Sequence, residues 1–282
     1  MREVARELSD AASRLAEWCR PRERLVVLTG AGCSTDSGIP DYRDSAGAWK
    51  RKPPVQQREF VAHHAVRQRY WARSLLGWRH FSKATPNAAH RALARLESAG
   101  RLHHLITQNV DGLHQQAGSR AVTDLHGRLD EVQCLGCGAR IPRTEMQQRL
   151  ESSNPEWREL VAAHAPDGDA DLEGRDFSSF DVPACETCSG MLKPAVVFFG
   201  DAIPAEQTRA ALDAVEHADA LLVVGSSLMV WSGYRLARAA AERGLSVAAV
   251  NLGLTRADAL LEFKLEAPCG DVLSQMAACL GL

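Results

Sequence analysis

The sequence predicts an α/β fold: a parallel sheet covered by helices on both faces, with a smaller cysteine-bearing lobe inserted. Three observations predict it. Short apolar runs at 24–29, 102–107, 221–225 and 245–250 are too short for helices and rich in branched residues, as buried strands are. Amphipathic stretches alternate with them, which implies right-handed crossovers. Residues 134–192 break the alternation and hold two C-x-x-C pairs around a polar, Asp/Gly-rich middle.

In chain order, Leu8, Ala12, Leu15 and Cys19 recur at helical steps, so residues 2–19 read as an amphipathic helix ended by Pro21. The strand at 24–29 runs into Gly30. Residues 45–84 cluster Arg, Trp and Pro, including Pro53-Pro54, and predict a helix around 60–76. Thr85-Pro86-Asn87 starts a helix that Gly100 stops. A strand follows at 102–107, and Leu125 with 131–133 marks another sheet edge. Further on come a strand at 195–199, a helix at 205–217, a strand at 221–225, a helix at 233–243, a strand at 245–250 and a last helix at 271–280.

Composition excludes several classes. The 282 residues are 45% hydrophobic and 24% charged, ordinary for a globular chain with a sizeable core. A net charge of −2 argues against a strongly basic nucleic-acid binder. No apolar run approaches the roughly 18–20 residues that cross a bilayer. Glu3, Glu7 and Asp10 oppose a secretory leader or a mitochondrial presequence. Arginine outnumbers lysine and alanine is abundant, which suggests a GC-rich bacterial genome. The eight cysteines, four of them in C-x-x-C pairs, indicate a reduced compartment and a bound metal.

Chemistry gathers at the strand ends. Gly30, Ala31, Gly32 and Ser34 follow the first strand, where glycines and a helix N-terminus let a phosphate approach; a tight strand-to-helix turn explains an isolated G-x-G equally well. Gly225, Ser226 and Ser227 follow a second strand, and Asn251, Leu252 and Gly253 a third. Three such loops suggest a nucleotide lying across the carboxyl ends of the sheet. Gln108, Asn109 and Asp111 also leave a strand directly; packing explains such a run poorly, although turn hydrogen bonds are an alternative. His126, between Leu125 and Gly127, is the candidate general base, since imidazole titrates near neutrality. Cys134, Cys137, Cys185 and Cys188 can give one zinc four thiolates, a closed and therefore structural site. Zinc is favoured over a rubredoxin-like iron or two redox pairs.

These residues resemble a family. The stretch 30–43, the runs 107–114, His126-Gly127, the C-x-x-C pairs, 192–200, 225–228 and 251–253 are similar, in order, to the sirtuin signature. The segment 67–73 with Gly77-Trp78 looks like the class II branch, which holds the fourth human sirtuin. The resemblance implies a Rossmann-like domain made of 20–44, 85–133 and 193–282, a helical cofactor-loop and acyl-pocket segment at 45–84, a zinc module at 134–192 and an N-terminal helix at 1–19. It implies NAD as co-substrate, with Ala31, Ile39, Pro40, Asp41 and Arg43 on the cofactor loop. Gln108, Asn109 and Asp111 would surround nicotinamide and its ribose. Gly225, Ser226 and Ser227 would meet phosphate and ribose, and Asn251 and Cys269 the adenosine end.

The implied reaction removes acyl groups from protein lysines, with His126 as base and nicotinamide, free lysine and O-acyl-ADP-ribose as products. The peptide would add as a strand between Val197, Phe198, Phe199, Gly200 and the loop near 232–234. Tyr70 and Arg73 form a Y-x-x-R pair one helical turn apart. It resembles the carboxylate clamp of desuccinylating sirtuins, and reads equally as a helix face that packs Tyr and solvates Arg. A carboxyl-bearing acyl group is expected to be cleaved faster than acetyl, with lipoyl the competing class II expectation. Mono-ADP-ribosyl transfer from the same site is the alternative activity. Acylated proteins are the expected partners, with neither nucleic acid nor membrane; the sequence leaves the oligomeric state open, with a monomer as the default. The bacterial cytoplasm is the expected location, or the mitochondrial matrix in a eukaryote.

Overall fold

The computed structural model describes residues 2–50, 54–160, 163–164, 166–172 and 174–282. Pro53, half of the Pro-Pro pair, lies outside them, as do positions 161, 162, 165 and 173 of the cysteine-bearing segment. Helix α1 (Arg2–Cys19) buries Ala12, Leu15, Ala16 and Cys19 and leads into strand β1 (Leu25–Thr29). Two single 3-10 turns, Ala31–Cys33 and Thr35–Ser37, replace the helix expected after Gly30. The expected helix around 60–76 is two helices, α2 (Gln57–Ala62) and α3 (His64–Phe81). His63 breaks them with extended backbone (φ −121, ψ 121). The second continues to Phe81 because Trp71, Leu75, Trp78 and Phe81 all bury on it.

The chain continues through α4 (Ala88–Ser98), β2 (Leu102–Thr107), the single turn α5 (Leu113–Gln116) and β3 (Val122–Asp124). Asn87 caps α4, accepting from the Ala89 and His90 N–H groups. The small lobe holds β4 (Gly127–Cys134), β5 (Arg140–Pro142), α6 (Arg143–Ser153), β6 (Ala163–His164), β7 (Ala170–Asp171) and β8 (Leu192–Val196). The return is α7 (Ala205–Glu216), β9 (Ala220–Val224), α8 (Trp231–Glu242), β10 (Ser246–Val250), β11 (Phe263–Leu265) and α9 (Cys269–Cys279).

Six strands form one sheet in the order β11-β10-β9-β1-β2-β3, with every pairing parallel. The chain reverses its winding at β1, so the switch point lies between β1 and β9. Alternate residues of β1 serve two cores. Leu25 and Val27 pack under α1, α4 and α9, while Val26 and Leu28 pack under α7 and α8. Burial on both faces explains why these strands read as unbroken apolar runs. Register aligns their ends: Thr29 pairs with Thr107 and with Val224, Thr107 with Asp124, and Val224 with Val250. Gly30, Gln108, Leu125, Gly225 and Asn251 therefore stand in a row along the carboxyl edge.

The strand expected at 195–199 lies at Leu192–Val196, and it pairs antiparallel with β4 in a separate three-stranded sheet, β5-β4-β8. Val196 is its last paired residue, opposite Gly127. Beyond it the two phenylalanines face the cavity described below, so the apolar run outlasts the strand. Strand β11, only three residues long, carries no periodic signal and was not expected.

Candidate active site

A cavity of about 1290 Å³ opens along the carboxyl edge, roofed by the small lobe. Gly30, Ala31, Gly32, Asp41 and Arg43 line it from the first loop, and Gln108 and Asn109 from the end of β2. Gly225, Ser226, Ser227, Asn251, Leu252 and Cys269 line its far side. Tyr70, Arg73 and residues Val197 to Gly200 line it from the small-lobe side, with His126 between the two.

Ser34, Ile39, Pro40, Asp111 and Gly253 stand behind this wall. Ile39 is buried with Trp78, Phe81 and Val110. Gly253 packs on the backbone of Ser45, where a Cβ would come within 2.3 Å of the carbonyl oxygen. Asp111 acts through a chain of bonds. Asn109 Nδ2 donates to the Gly30 carbonyl and to Ser34 Oγ, each at 3.0 Å, and Ser34 Oγ donates to Asp111 Oδ2 at 2.7 Å. Burial pushes the Asp111 carboxyl up, while the Leu113 N–H and the Ser34 hydroxyl pull it back. The acid thus positions Asn109 instead of facing the cavity.

The glycines also let the two loops pack on one another. The Gly30 and Gly32 N–H groups donate to the carbonyls of Val224 and Gly225, at 3.1 and 2.9 Å. Gly225 has φ +59, and a Cβ there would meet the Cys33 nitrogen at 2.2 Å. These residues are small so that two loops can pack backbone to backbone across the switch point. Beneath them, Cys33, His90 and His114 form a wholly buried cluster. Burial pushes the Cys33 thiol up, His90 down to about 4 and His114 well down, so all three are neutral.

His126 is fixed from both sides. Its Nδ1 lies 2.9 Å from the Gln108 carbonyl and its Nε2 2.8 Å from Ser232 Oγ. A carbonyl only accepts, so Nδ1 carries the proton, and the lone pair of Nε2 takes the Ser232 hydroxyl hydrogen. Burial lowers the His126 pKa, the Gln108 bond opposes the shift and the Arg235 charge adds to it. The ring is a neutral base at pH 7. Gly127 next to it has φ +78, and a Cβ would meet the Ala195 carbonyl oxygen at 2.1 Å. The His-Gly dipeptide is therefore a strand crossing that only glycine permits.

The sequence pointed to the 232–234 loop only as a wall for the peptide; it missed Ser232 as the partner of His126 and Gly233 as the neighbour of Gln108. A Cβ at Gly233 would come within 2.5 Å of Gln108 Oε1, so glycine there leaves room for a carboxamide that donates to Ser226 Oγ at 2.7 Å. It also missed Trp49, which lies 3.9 Å under the Arg43 guanidinium and edge-on to Phe199. Ser232 and Gly233 lie far in sequence from His126 and Gln108, so no motif announces those pairs, whereas Trp49 follows Arg43 closely and meets it across an isolated β-bridge.

In the small lobe the four C-x-x-C sulfurs lie within 4.8 Å of one another, with Cys134 and Cys188 at 3.5 Å and Cys137 and Cys185 at 3.7 Å. Zn–S bonds of about 2.3 Å in a tetrahedron put sulfurs about 3.8 Å apart, so the donor set fits a closed structural zinc site. Gly190 is needed there, because a Cβ would meet the Cys134 sulfur at 2.9 Å. No helix among the described residues is long and apolar enough to cross a membrane.

Comparison with known proteins agrees with this geometry. A model of the Sir2 family matches residues 30–232. An NAD-dependent protein deacetylase of Bordetella bronchiseptica is 60% identical over 256 residues, which cover 91% of this chain and 93% of that one. The mitochondrial NAD-dependent protein lipoamidase sirtuin-4 of Bos taurus is 48% identical over 254 residues, covering 89% and 81%. A solved structure of Sir2 with a p53 peptide and NAD+ superposes with a TM-score of 0.79 at 29% identity, covering 95% and 98%. With a six-stranded sheet wound about its switch point, a four-cysteine centre in the inserted lobe and a family match over most of its length, the chain belongs to the Sir2 family and is a sirtuin enzyme.

Proposed function

We propose that this chain removes acyl groups from protein lysine side chains at the expense of NAD, giving nicotinamide, free lysine and O-acyl-ADP-ribose. The observation that carries the reading is His126, a neutral base with a defined tautomer, at the waist of a cavity with two arms. At about 1290 Å³ the cavity exceeds the 300–1,000 Å³ typical of one small ligand. One arm, between the Gly30 and Gly225 loops and Asn251, suits a dinucleotide. The other, between α3 and Val197 to Gly200, suits an acylated lysine.

Bound NAD would supply the ribosyl carbon that takes the acyl oxygen as nicotinamide leaves. The chain's own residues do the rest. Asn109, held by Gly30 and Ser34, presents its amide at the nicotinamide end. Gln108 orients His126 through its carbonyl, and Nε2 accepts a ribose hydroxyl proton once Ser232 yields its place. Phe198 and Phe199 exclude water from the reacting end. The peptide backbone adds along Val197 to Gly200, whose opposite edge is already held at Phe199 by Gln56 and Gln57.

In the same reading 20–44, 85–133 and 193–282 form the NAD-binding domain, 45–84 shapes the cofactor loop and acyl pocket, and 134–192 is the zinc module. The bacterial relatives and the thiol-rich chain support a cytoplasmic location. The acyl arm passes Phe198 to reach Tyr70 and Arg73, which favours chains longer than acetyl. A neutral chain of the lipoyl type is preferred over a carboxyl-bearing one, because Arg73 already holds a carboxylate, and the lipoamidase name of the bovine relative points the same way.

The test is nicotinamide release from NAD over a panel of acyl-lysine peptides, with mass spectrometry of the products. Peptide-dependent release with O-acyl-ADP-ribose supports the proposal, and His126→Ala should then cut the rate by about 10²–10⁴-fold. ADP-ribose found linked to protein instead would establish mono-ADP-ribosyl transfer as the activity.

A further inference from the structure

The acyl arm ends on an ion pair that the Y-x-x-R motif does not announce. Arg73 Nε donates to Asp169 Oδ1 at 2.8 Å and Nη2 to Oδ2 at 2.7 Å, a two-pronged fork on one carboxylate. Both side chains line the cavity. The Arg73 side chain is only 18% exposed, so the pair is partly shielded from water. The Ala170 N–H donates to Asp169 Oδ1 at 2.8 Å and fixes the carboxylate from behind.

The approach is built into the backbone. Gly77 lies four residues after Arg73, on the same face of α3. A Cβ at Gly77 would meet the Gly168 carbonyl oxygen at 2.1 Å and the Asp169 carbonyl carbon at 2.5 Å. Gly168 itself needs glycine, at φ +67 and with Leu129 2.8 Å from the place of a Cβ. Two glycines therefore seat the 168–169 turn on the helix, directly below the guanidinium. The cavity wall formed by α2, α3 and this turn carries Arg69 and Arg73 against Glu59, Asp169 and Asp171.

We propose that Asp169 is a specificity-determining residue, a built-in carboxylate that occupies the Arg73 fork and turns the acyl arm against chains ending in a carboxylate. This rests on the deacylase reading above and names its substrate class. A carboxyl-ended chain must displace Asp169 or place a second anion beside it, and two carboxylates sharing one guanidinium repel. A neutral chain meets a closed ion pair and the rings of Tyr70 and Phe198, 5.2 Å apart and backed by the fully buried Phe60.

The experiment compares kcat/KM for succinyl-lysine and butyryl-lysine peptides of one sequence in the wild type, Asp169→Asn, Asp169→Ala and the double variant Asp169→Asn/Arg73→Gln. The wild type should favour butyryl. Either single substitution should move the succinyl-to-butyryl ratio by about tenfold or more toward succinyl, and adding Arg73→Gln should cancel the move. A wild type that prefers succinyl, or a ratio unmoved by both single substitutions, overturns the proposal. If no peptide is turned over at all, the deacylase reading falls; binding of the same two peptides to the wild type and Asp169→Asn then decides the proposal, and equal preference in both proteins rejects it.

Discussion

At the scale of single residues, the chemistry depends on which atom carries a proton. The Gln108 carbonyl can only accept, which leaves His126 with a basic Nε2 directed at Ser232. Burial lowers its pKa, so the neutral form persists below the ordinary value of 6.5. The acidic limb of kcat/KM against pH should accordingly fall below 6.5, and Arg235→Gln, which removes a nearby positive charge, should move it upward. A limb unmoved by that substitution would detach it from His126. The base itself is legible in sequence, because a His-Gly pair just past a strand has few structural uses. Its partner Ser232 is 106 positions away, and Asp169 is 96 positions from Arg73. Contacts of that range follow from the topology and leave no local pattern. For the same reason Tyr70 and Arg73 were recognisable as a pair, while the carboxylate that changes their meaning was not.

At the scale of elements, apolar runs located four of the six strands of the large sheet, β1, β2, β9 and β10, to within a residue, because strands buried on both faces contain little else. The three-residue β3 and β11 offer no such run. The runs failed at β8, where apolar residues continue past the last ladder bond to wall the cavity, and at α3, whose polar residues obscure the helical period. The small lobe is the least legible element, since its core gathers Trp71, Met146, Trp157, Phe180 and Leu192 from distant segments. Two of the four thiols, Cys134 and Cys185, are themselves buried in that core, so the metal centre and the packing are one unit. Cys134→Ser, or removal of zinc by a strong chelator, should lower the midpoint of thermal unfolding by roughly 5–10 °C and free about one zinc per chain. A chain with no bound zinc and an unchanged midpoint would refute the metal assignment. Leu28→Ala, in the centre of the large sheet, should cost about 2–5 kcal/mol.

Over the whole molecule, four histidines, two buried and two half-buried, shape the response to acid. His90, His104, His114 and His126 all have pKa values lowered by burial, His90 to about 4. Below 6.5 the unfolded chain therefore binds protons that the folded chain refuses. Stability is complete above 6.5 and falls as the pH drops from 6.5 toward 4. Asp111 and Asp124, raised by burial, act in the opposite sense and contribute most below 3.8. Thermal midpoints measured from pH 8 to 4 should be flat at first and then decline, and His90→Gln should soften the decline if the variant folds. A midpoint that rises below pH 6.5 would contradict the assignment.

The two strand crossings between the lobes have one more consequence. The chain enters the small lobe through His126-Gly127 and leaves it through Val196-Val197, and the Val197 N–H donates to the His126 carbonyl at 2.8 Å. The backbone of the base is thus tied directly to the segment that walls the acyl arm. A substitution that disturbs either crossing is therefore felt at the other, so the aim of His126 depends on the join at Val197 as much as on its own loop.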